Sequence, residues 1–318
     1  MDQLPSQPGW ERELVSKLAL ASVREQAAKR RWSIFFKLLW ASLALLVFAW
    51  FNGWIGQGMS TSDSFGRHTA LVKMEGEIAD GTKASAENIN GALAAAFKDT
   101  DSVAVILNIN SPGGSPVQSA RIYNEIKRLR KDNPEKPLYV VVDELCASGG
   151  YFVAAAADKI YVDPSSLVGS IGVIYQGFGA DKAMEKLGIE NRTLTAGDNK
   201  AFMDPFSPMK PEHKTHLEAM LAYVHQQFIK AVKEGRGSRL KETTPGLFSG
   251  LIWSGNKAID IGLVDGTGSV GSVARDVVKA EDLVDYTIEE NTFDKFARRI
   301  GASFGSGLMQ AVNKTSWK

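Results

Sequence analysis

The chain has 318 residues, of which 44% are hydrophobic and 23% charged, so it contains ample material for a sizeable folded core. Its formal net charge of +1 argues against a nucleic-acid-binding protein, since that function normally needs a concentrated basic face. The single cysteine excludes a disulfide within the chain, so the fold must hold without such a cross-link in whichever compartment it occupies.

An uncharged stretch near the N-terminus, Leu38 to Ser62, predicts a membrane anchor. Its apolar part up to Ile55 is about long enough to cross the hydrocarbon core of a bilayer. We therefore predict a leader over residues 1–31, one transmembrane helix over residues 32–55 and a polar linker over residues 56–68. Tryptophan rings favour the membrane interface, and four of them lie towards the ends of this stretch: Trp32, Trp40, Trp50 and Trp54.

Basic residues are distributed unevenly about the predicted anchor, which predicts its orientation. After the anchor the first basic residue is Arg67. Cytoplasmic flanks are enriched in such residues, so residues 1–31 are expected in the cytoplasm and the rest of the chain on the exported side. A cleaved signal peptide would have an unusually long charged leader, and a buried core helix would leave the charge asymmetry unexplained. The basic residues that precede the uncharged stretch most closely are Arg24, Lys29, Arg30, Arg31 and Lys37.

Beyond the linker, β-rich and helix-rich runs alternate, which is typical of an α/β domain with a mostly parallel sheet. The near-continuous apolar runs VAVIL and LYVVV indicate central strands covered on both faces. With no internal repeat, we predict one domain over residues 69–280 and a tail over residues 281–318. The predicted strands are 69–78, 102–110, 137–145, 159–163, 171–176 and 191–196, and the predicted helices are 84–98, 115–131, 150–157, 179–187 and 211–235.

Two glycine-bearing turns follow predicted strands and together resemble a catalytic arrangement. The turn INSPGGSP contains Gly113 and Gly114, and the segment CASGGYFVAAAA places Ser148 and Gly149 where a strand becomes a helix. Free N–H groups at such positions stabilise a developing negative charge, so Ser148 could act as nucleophile with Gly149 and Gly113 or Gly114 as donors. Glycines also permit tight turns and close packing, so the structural interpretation stays open here.

A nucleophilic serine needs a base, and none of the histidines is an obvious candidate. His68 borders the linker, while the other three occur in the predicted helix 211–235, away from the strand ends. The alternative base is a lysine whose ammonium pKa is lowered by burial. Lys200 is the candidate, because it follows a predicted strand and a glycine turn and precedes Ala, Phe and Met. Cys146, two residues before Ser148, is interpreted as a small buried packing residue.

The ordered segments INSPGG, CASGGYFVAAAADKIYVDP, GSIGVI, TAGDNK and WSGNKAIDIGLVD resemble the signal peptide peptidase A family, including its SohB branch. The similarity runs from about Thr69 to Val278. It implies a Clp protease/crotonase-like fold and a Ser–Lys dyad in which Ser148 is the nucleophile and Lys200 the general base. It also implies that Ser170 orients the lysine, and that the turn of Gly113 and Gly114 joins the Gly149 N–H in the oxyanion hole.

The resemblance further implies a single-domain form of the family that assembles as a homo-oligomeric ring. In such rings the lysine that reaches a given serine comes from the adjacent protomer. No metal or cofactor is required. The chain departs from common family patterns at Cys146, where alanine is frequent, and at Leu251, where arginine is frequent. Neither position belongs to the dyad, so the departures concern the substrate pocket and the assembly contacts.

The resulting expectation is a serine endopeptidase of a bacterial inner membrane. Its catalytic domain would be periplasmic, and its substrates would be cleaved signal peptides or other membrane-associated peptides. Two alternatives remain. A crotonase-like enzyme would use the paired N–H groups to hold the thioester of an acyl-coenzyme A, to which an exported domain has little access. A non-catalytic membrane scaffold would keep the ring and the anchor without the chemistry.

Overall fold

A computed structural model describes residues 29–48 and 66–288. The chain divides into two compact units, residues 1–64 and 65–318, and each is described by itself. In the first unit, helix α1 spans Lys29–Phe48 with a mean hydropathy of 1.5 over its most apolar window. Its 20 residues are long and apolar enough to cross a membrane. Residues 49–55 of the predicted anchor lie outside the described residues.

The second unit is built on an eight-stranded sheet in which one pair of strands is antiparallel and the other pairs are parallel. The main path runs β6-β5-β3-β2-β1-β8, and β4 branches from β3 to meet β7. The strands are β1 His68–Glu75, β2 Ser102–Ser111, β3 Leu138–Ala147, β4 Lys159–Val162, β5 Leu167–Gly169, β6 Ile252–Ser254, β7 Gly266–Thr267 and β8 Leu283–Asp285.

Helices connect the parallel strands and cover the sheet. The predicted helices are each present with shifted ends, and the longest, α6, has 26 residues. The helices are α2 Ala86–Lys98, α3 Pro116–Asp132, α4 Gly149–Ala154, α5 Asp181–Lys186, α6 Pro211–Arg236, α7 Gly255–Asp260 and α8 Val270–Ser272. A 3₁₀ turn, Gly237–Arg239, follows α6, and a π-helical turn, Val273–Val278, follows α8.

The two central strands have the continuous burial expected of parallel strands. On β2, Val105, Ile106 and Leu107 are fully buried, because α2 and α3 cover one face and the π-helical turn covers the other. Local signals place the helices: Ser85 accepts a hydrogen bond from the Asn88 N–H at the start of α2, and Pro116 occupies the first turn of α3. The predicted mostly parallel α/β architecture is confirmed.

Two predicted strands are wrong. Residues 171–176 and 191–196 are irregular, and residues 189–200 are exposed throughout. Alternating apolar residues form a strand only where a neighbouring strand receives their N–H and C=O groups. Within the described residues of one protomer, no strand pairs with either segment. The strand that takes the place of the first of them, β5, lies a few residues earlier and pairs with β3 and with the edge strand β6.

The sheet extends beyond the predicted domain boundary at residue 280. Strand β8 pairs with β1 in parallel, and Tyr286 continues the contact through its N–H, which donates to the Leu71 carbonyl at 2.8 Å. The Lys73 ammonium also lies 2.8 Å from an Asp285 carboxylate oxygen. Residues 281–287, assigned to the tail from sequence, therefore belong to the folded domain.

Candidate active site

Two neighbouring parallel strands end beside each other and place two serines in equivalent positions. Ala147 at the end of β3 pairs with Gly169 at the end of β5, and Ser148 and Ser170 follow them directly. The Ser148 N–H donates to the Gly169 carbonyl at 2.9 Å. The structure therefore brings Ser148 and Ser170, both predicted site residues, to the same edge of the sheet.

Both serines have a backbone conformation that non-glycine residues rarely adopt. Ser148 has φ 52° and ψ −122°, and Ser170 has φ 51°. Each such residue costs about 1–3 kcal/mol and persists only where the surroundings impose it. Here the imposing contacts are the Ser148 hydrogen bond to β5 and the Ser170 N–H, which donates to the Leu251 carbonyl at 2.8 Å. Strain of this kind concentrates at functional sites.

The glycine turn after β2 lies directly against the Ser148 turn, at a distance that only glycine allows. A Cβ added to Gly113 would lie 2.6 Å from the Gly149 nitrogen and 2.7 Å from the Ser148 Cβ. Gly114 has φ 149°, and an added Cβ would lie 2.2 Å from the Ile78 carbonyl oxygen. The close approach of two backbone segments therefore explains why glycine occupies both positions, as the packing alternative for these turns proposes. The same approach places the glycine turn beside Ser148.

The hydrogen bonds distinguish the three predicted oxyanion donors. The Gly113 N–H donates to the Ser111 Oγ at 3.1 Å, and this hydroxyl in turn donates to the Gly76 carbonyl at 2.6 Å. Among the hydrogen bonds of the described residues, the N–H groups of Gly114 and Gly149 have no acceptor. Ser111 was missed from the sequence, although its place in INSPGG is a signal for it. The available donors are therefore those of Gly114 and Gly149.

Helix α4, which begins after Ser148, is fixed to the core by aromatic side chains. The Tyr151 hydroxyl donates to the Leu263 carbonyl at 2.6 Å, and burial raises the pKa of this phenol. The Phe152 ring packs between Tyr123 and Phe228, with ring centroids 5.2 and 5.1 Å away. These contacts hold the Ser148 turn in a fixed position relative to α3 and α6.

A small apolar pocket of about 140 Å³ opens beside Ser148 and Gly149. Its size suits a small or medium apolar side chain rather than a large ring system. The remaining lining residues come from the glycine turn, α3, α4, the segment after β5 and α6: Gly114, Pro116, Ser119, Ala120, Phe152, Gly172, Val173, Ile174, Val224, Gln227 and Phe228.

A larger cavity of about 890 Å³ lies where β3 changes its partner from β4 to β5. Asp143, Glu144 and Asp163 are among the residues that line it, but Ser148 and Lys200 are not. Size alone would favour this cavity as the site. The smaller pocket is lined by the strained Ser148 and by Gly114 and Gly149, whose N–H groups have no acceptor among the described residues. We therefore take the smaller pocket as the candidate active site.

Lys200 lies in an exposed series of turns, and no hydrogen bond or ion pair joins it to Ser148 or Ser170 among the described residues. Its N–H donates to the Gly197 carbonyl at 3.1 Å. The next residue with a ring, Phe202, contacts His213 and His216 in the first turns of α6. In contrast, α4 contacts α6 at Phe228, about 18 Å further along the helix axis than His216. Within one protomer the predicted dyad is therefore not assembled.

The remaining candidate nucleophile and bases have other roles in the described part of the chain. Cys146 is fully buried, and burial raises the pKa of its thiol, so the thiolate is disfavoured. His68 packs against Tyr286, and the Nε2 of His225 lies 3.1 Å from the Ile171 carbonyl oxygen. No histidine forms a hydrogen bond with Ser148 in residues 66–288. Across those residues and α1, no group of three His, Cys, Asp or Glu side chains could hold a metal ion.

A protein-family comparison matches residues 130–284 to the model of peptidase family S49. The matched range contains Ser148, Ser170 and Lys200 but begins after the glycine turn of Gly113 and Gly114. Together with the mostly parallel sheet, the match confirms the Clp protease-like fold class that the sequence predicts.

Curated relatives match about three fifths of the chain. A Brucella abortus protein named Na(+)/H(+) antiporter NhaA is 43% identical over 210 residues, which are 64% of this chain and 28% of that protein. A putative protease of Methanocaldococcus jannaschii is 36% identical over 61% of this chain and 63% of its own length. A putative signal peptide peptidase SppA of Enterococcus faecium is 34% identical over 58% of this chain and 53% of its own length. The chain thus spans less than two thirds of each of these relatives.

Proposed function

Because the chain belongs to the signal peptide peptidase A family, peptidase family S49, we propose that it is a membrane-anchored serine endopeptidase with a Ser148–Lys200 dyad. One observation carries the proposal: a strained serine at the end of a parallel strand lies beside an apolar pocket and two N–H groups that have no acceptor among residues 66–288. That arrangement combines a nucleophile, an oxyanion site and a place for a substrate side chain.

The proposed mechanism is acyl transfer to serine. The neutral amine of Lys200 removes the proton from the Ser148 Oγ, which attacks the carbonyl carbon of a peptide bond. The N–H groups of Gly114 and Gly149 stabilise the negative charge on the carbonyl oxygen of the tetrahedral intermediate. The lysine then gives the proton to the leaving amine. A water molecule, activated by the same lysine, hydrolyses the acyl-enzyme and restores Ser148.

Ser170 is proposed to orient the lysine. It lies next to Ser148 at the sheet edge, and its positive φ of 51° ends β5 at this point. A hydroxyl at this position can accept a hydrogen bond from an incoming lysine ammonium or donate one to the neutral amine.

A ring in which neighbouring protomers complete each site is the proposed assembly. The segment that carries Lys200 and the adjacent part of α6 expose large apolar side chains in a number unusual for a surface that faces only water. A lysine donated across such an interface would be removed from solvent, which favours its neutral form. The large apolar side chains exposed between residues 174 and 223 are Ile174, Tyr175, Phe178, Leu187, Ile189, Leu194, Phe206, Met209, Met220 and Tyr223.

The proposed substrates are peptides with small or apolar residues, such as signal peptides left in a membrane after cleavage. The pocket beside Ser148 is apolar and holds about 140 Å³, which matches such side chains. Helix α1 is apolar enough to keep the enzyme at a bilayer where these peptides reside. The proposed location is a bacterial inner membrane with residues 1–31 cytoplasmic and the catalytic domain on the exported side.

Hydrolysis of a small peptide substrate by the purified full-length protein tests the proposal. We expect Ser148→Ala and Lys200→Ala to lose activity while keeping the wild-type melting temperature. Mixing the two inactive variants before assembly tests the shared dyad. If each site takes its serine and lysine from different protomers, about a quarter of the sites in a random mixture would be complete. Wild-type activity in either single variant would refute the dyad, and an inactive mixture of exchanging protomers would refute its sharing.

A further inference from the structure

The segment that carries Lys200 is attached to α6 by a hydrogen bond from His213. The Nε2 of His213 lies 3.0 Å from the Oδ1 of Asn199, which is the residue immediately before Lys200 in the chain. An amide oxygen only accepts, so Nε2 carries the proton and donates it to this bond. His213 is 9% exposed, whereas Asn199 is exposed, so the histidine is the fixed partner and the asparagine the tethered one.

A second contact fixes the same segment on the other side of Lys200. The Phe202 ring meets the His213 ring edge to face with a centroid distance of 5.2 Å, and it meets His216 in the same way at 5.6 Å. The Phe202 N–H also donates to the Asn199 carbonyl at 3.0 Å, which closes the turn around Lys200. Lys200 therefore lies between two anchors that share one histidine.

Helix α6 connects these anchors to the nucleophile side of the domain. Its C-terminal half packs against α4 through Phe228 and Phe152, and its His225 approaches the Ile171 carbonyl beside Ser170. A helix of 26 residues transmits position well along its length because each turn is fixed by backbone hydrogen bonds. The Lys200 segment is therefore held by a rigid element that packs against α4, so its position is fixed relative to the body of its own protomer.

We propose that His213 is a positioning residue, which acts through Asn199 and Phe202 to hold Lys200 where it can reach a serine. This inference rests on the proposed role of Lys200 as general base. Proton transfer requires the amine within about 2.6–3.2 Å of the serine hydroxyl, and a misplacement of about 1 Å can cost about 100-fold in rate. Neither His213 nor Asn199 lines the pocket beside Ser148, so we expect their replacement to change KM little.

The test compares His213→Ala, His213→Gln and Asn199→Ala in the full-length protein with peptide hydrolysis as readout. We expect His213→Ala to lower kcat about 10- to 100-fold with little change in KM. His213→Gln keeps an N–H donor at a similar position and should recover much of the lost kcat. Lys214→Ala is the matched control, because Lys214 follows His213 in the chain but its side chain is 67% exposed and pairs with Glu218 on the same helix.

Asn199→Ala keeps the test valid if His213→Ala does not fold. Asn199 is exposed, so its truncation removes the hydrogen bond from the loop side without disturbing the core. We expect it to lower kcat, and the double variant His213→Ala/Asn199→Ala to lower kcat by less than the product of the two single effects. Melting temperature and oligomer size, measured on each variant, separate a loss of position from a loss of fold.

Three results would overturn the positioning role: wild-type kcat in Asn199→Ala, failure of His213→Gln to exceed His213→Ala, or an equal loss in Lys214→Ala. The failure of the proposed function looks different. In that case Ser148→Ala or Lys200→Ala would retain hydrolysis. If both of those variants are inactive while Asn199→Ala matches the wild type, the dyad stands and only the role of His213 is refuted.

Discussion

Replacing Gly114 with alanine should separate the proposed catalytic role of the glycine turn from its role in packing. Gly114 has φ 149°, and an added Cβ would lie 2.2 Å from the Ile78 carbonyl oxygen, so the backbone must move. Its N–H has no acceptor in the described structure and is the proposed partner of the Gly149 N–H in the oxyanion hole. The movement therefore displaces one of two donors.

The magnitudes differ for activity and for stability. Loss of one oxyanion donor lowers kcat by about 100- to 1,000-fold, whereas a strained backbone position costs about 1–3 kcal/mol of folding stability. Gly81→Ala is a matched control, because Gly81 also has a positive φ of 72° but an added Cβ meets nothing within 4 Å. It should lose about 1–2 kcal/mol of stability and keep its activity.

The assay is the steady-state hydrolysis of a peptide at a temperature well below both melting transitions, with the folded fraction measured in parallel. We expect Gly114→Ala to bind substrate with a nearly unchanged KM and to turn it over far more slowly than Gly81→Ala. Equal kcat values for the two folded variants would show that the Gly114 N–H does not stabilise the transition state. The oxyanion assignment would then be wrong.

Three further predictions follow from other parts of the domain. Asp265→Asn should cost about 3–5 kcal/mol because it leaves the buried Arg236 without its carboxylate. Burial opposes ionisation of Asp265, but the hydrogen bonds and charge of Arg236 hold its pKa below the ordinary 3.8. The stability of the wild-type protein, followed by thermal melting, should therefore fall as the pH drops below 3.8 towards the lowered pKa of the folded state. The stability of Asp265→Asn should depend less on pH in the same range. Ile174 lines the pocket beside Ser148, so Ile174→Ala should enlarge it. The kcat/KM for a substrate with a large apolar side chain should then rise about 10-fold relative to the kcat/KM for a substrate with alanine. An unchanged ratio would show that this pocket does not determine substrate specificity. Cys146→Ala should keep wild-type hydrolysis, since the thiol is buried and protonated, and its inactivation would return Cys146 to the list of candidate nucleophiles.

The turn at Ser148 could be predicted from sequence because local signals agree there. The run that ends in Ser148 and Gly149 joins a β-branched strand to small residues, and the structure has a strand, a strained serine and a helix at those positions. Which glycines supply the free N–H groups was missed, because the choice depends on the Ser111 hydroxyl, which accepts the hydrogen bond of the Gly113 N–H. A side-chain hydrogen bond of this kind leaves no periodic pattern in the sequence.

The surroundings of Lys200 were beyond sequence reasoning for a different reason. The alternation in residues 191–196 resembles a strand, but within one protomer the described segment is exposed and irregular. Two contacts attach the segment to α6: the hydrogen bond between Asn199 and His213 and the ring contact between Phe202 and His216. Each contact joins residues that are 14 positions apart in the chain. Sequence periodicity reports burial within a chain, and it carries little information on surfaces that pair with another copy.

Covalent labelling by a serine-directed fluorophosphonate tests whether Ser148 is a nucleophile that depends on Lys200. We expect Ser148 to be the modified residue in the wild-type protein, Ser148→Ala to remain unlabelled, and Lys200→Ala to be labelled far more slowly because its serine lacks a base. Labelling of Lys200→Ala at the wild-type rate, or modification of a residue other than Ser148, would refute the Ser148–Lys200 dyad.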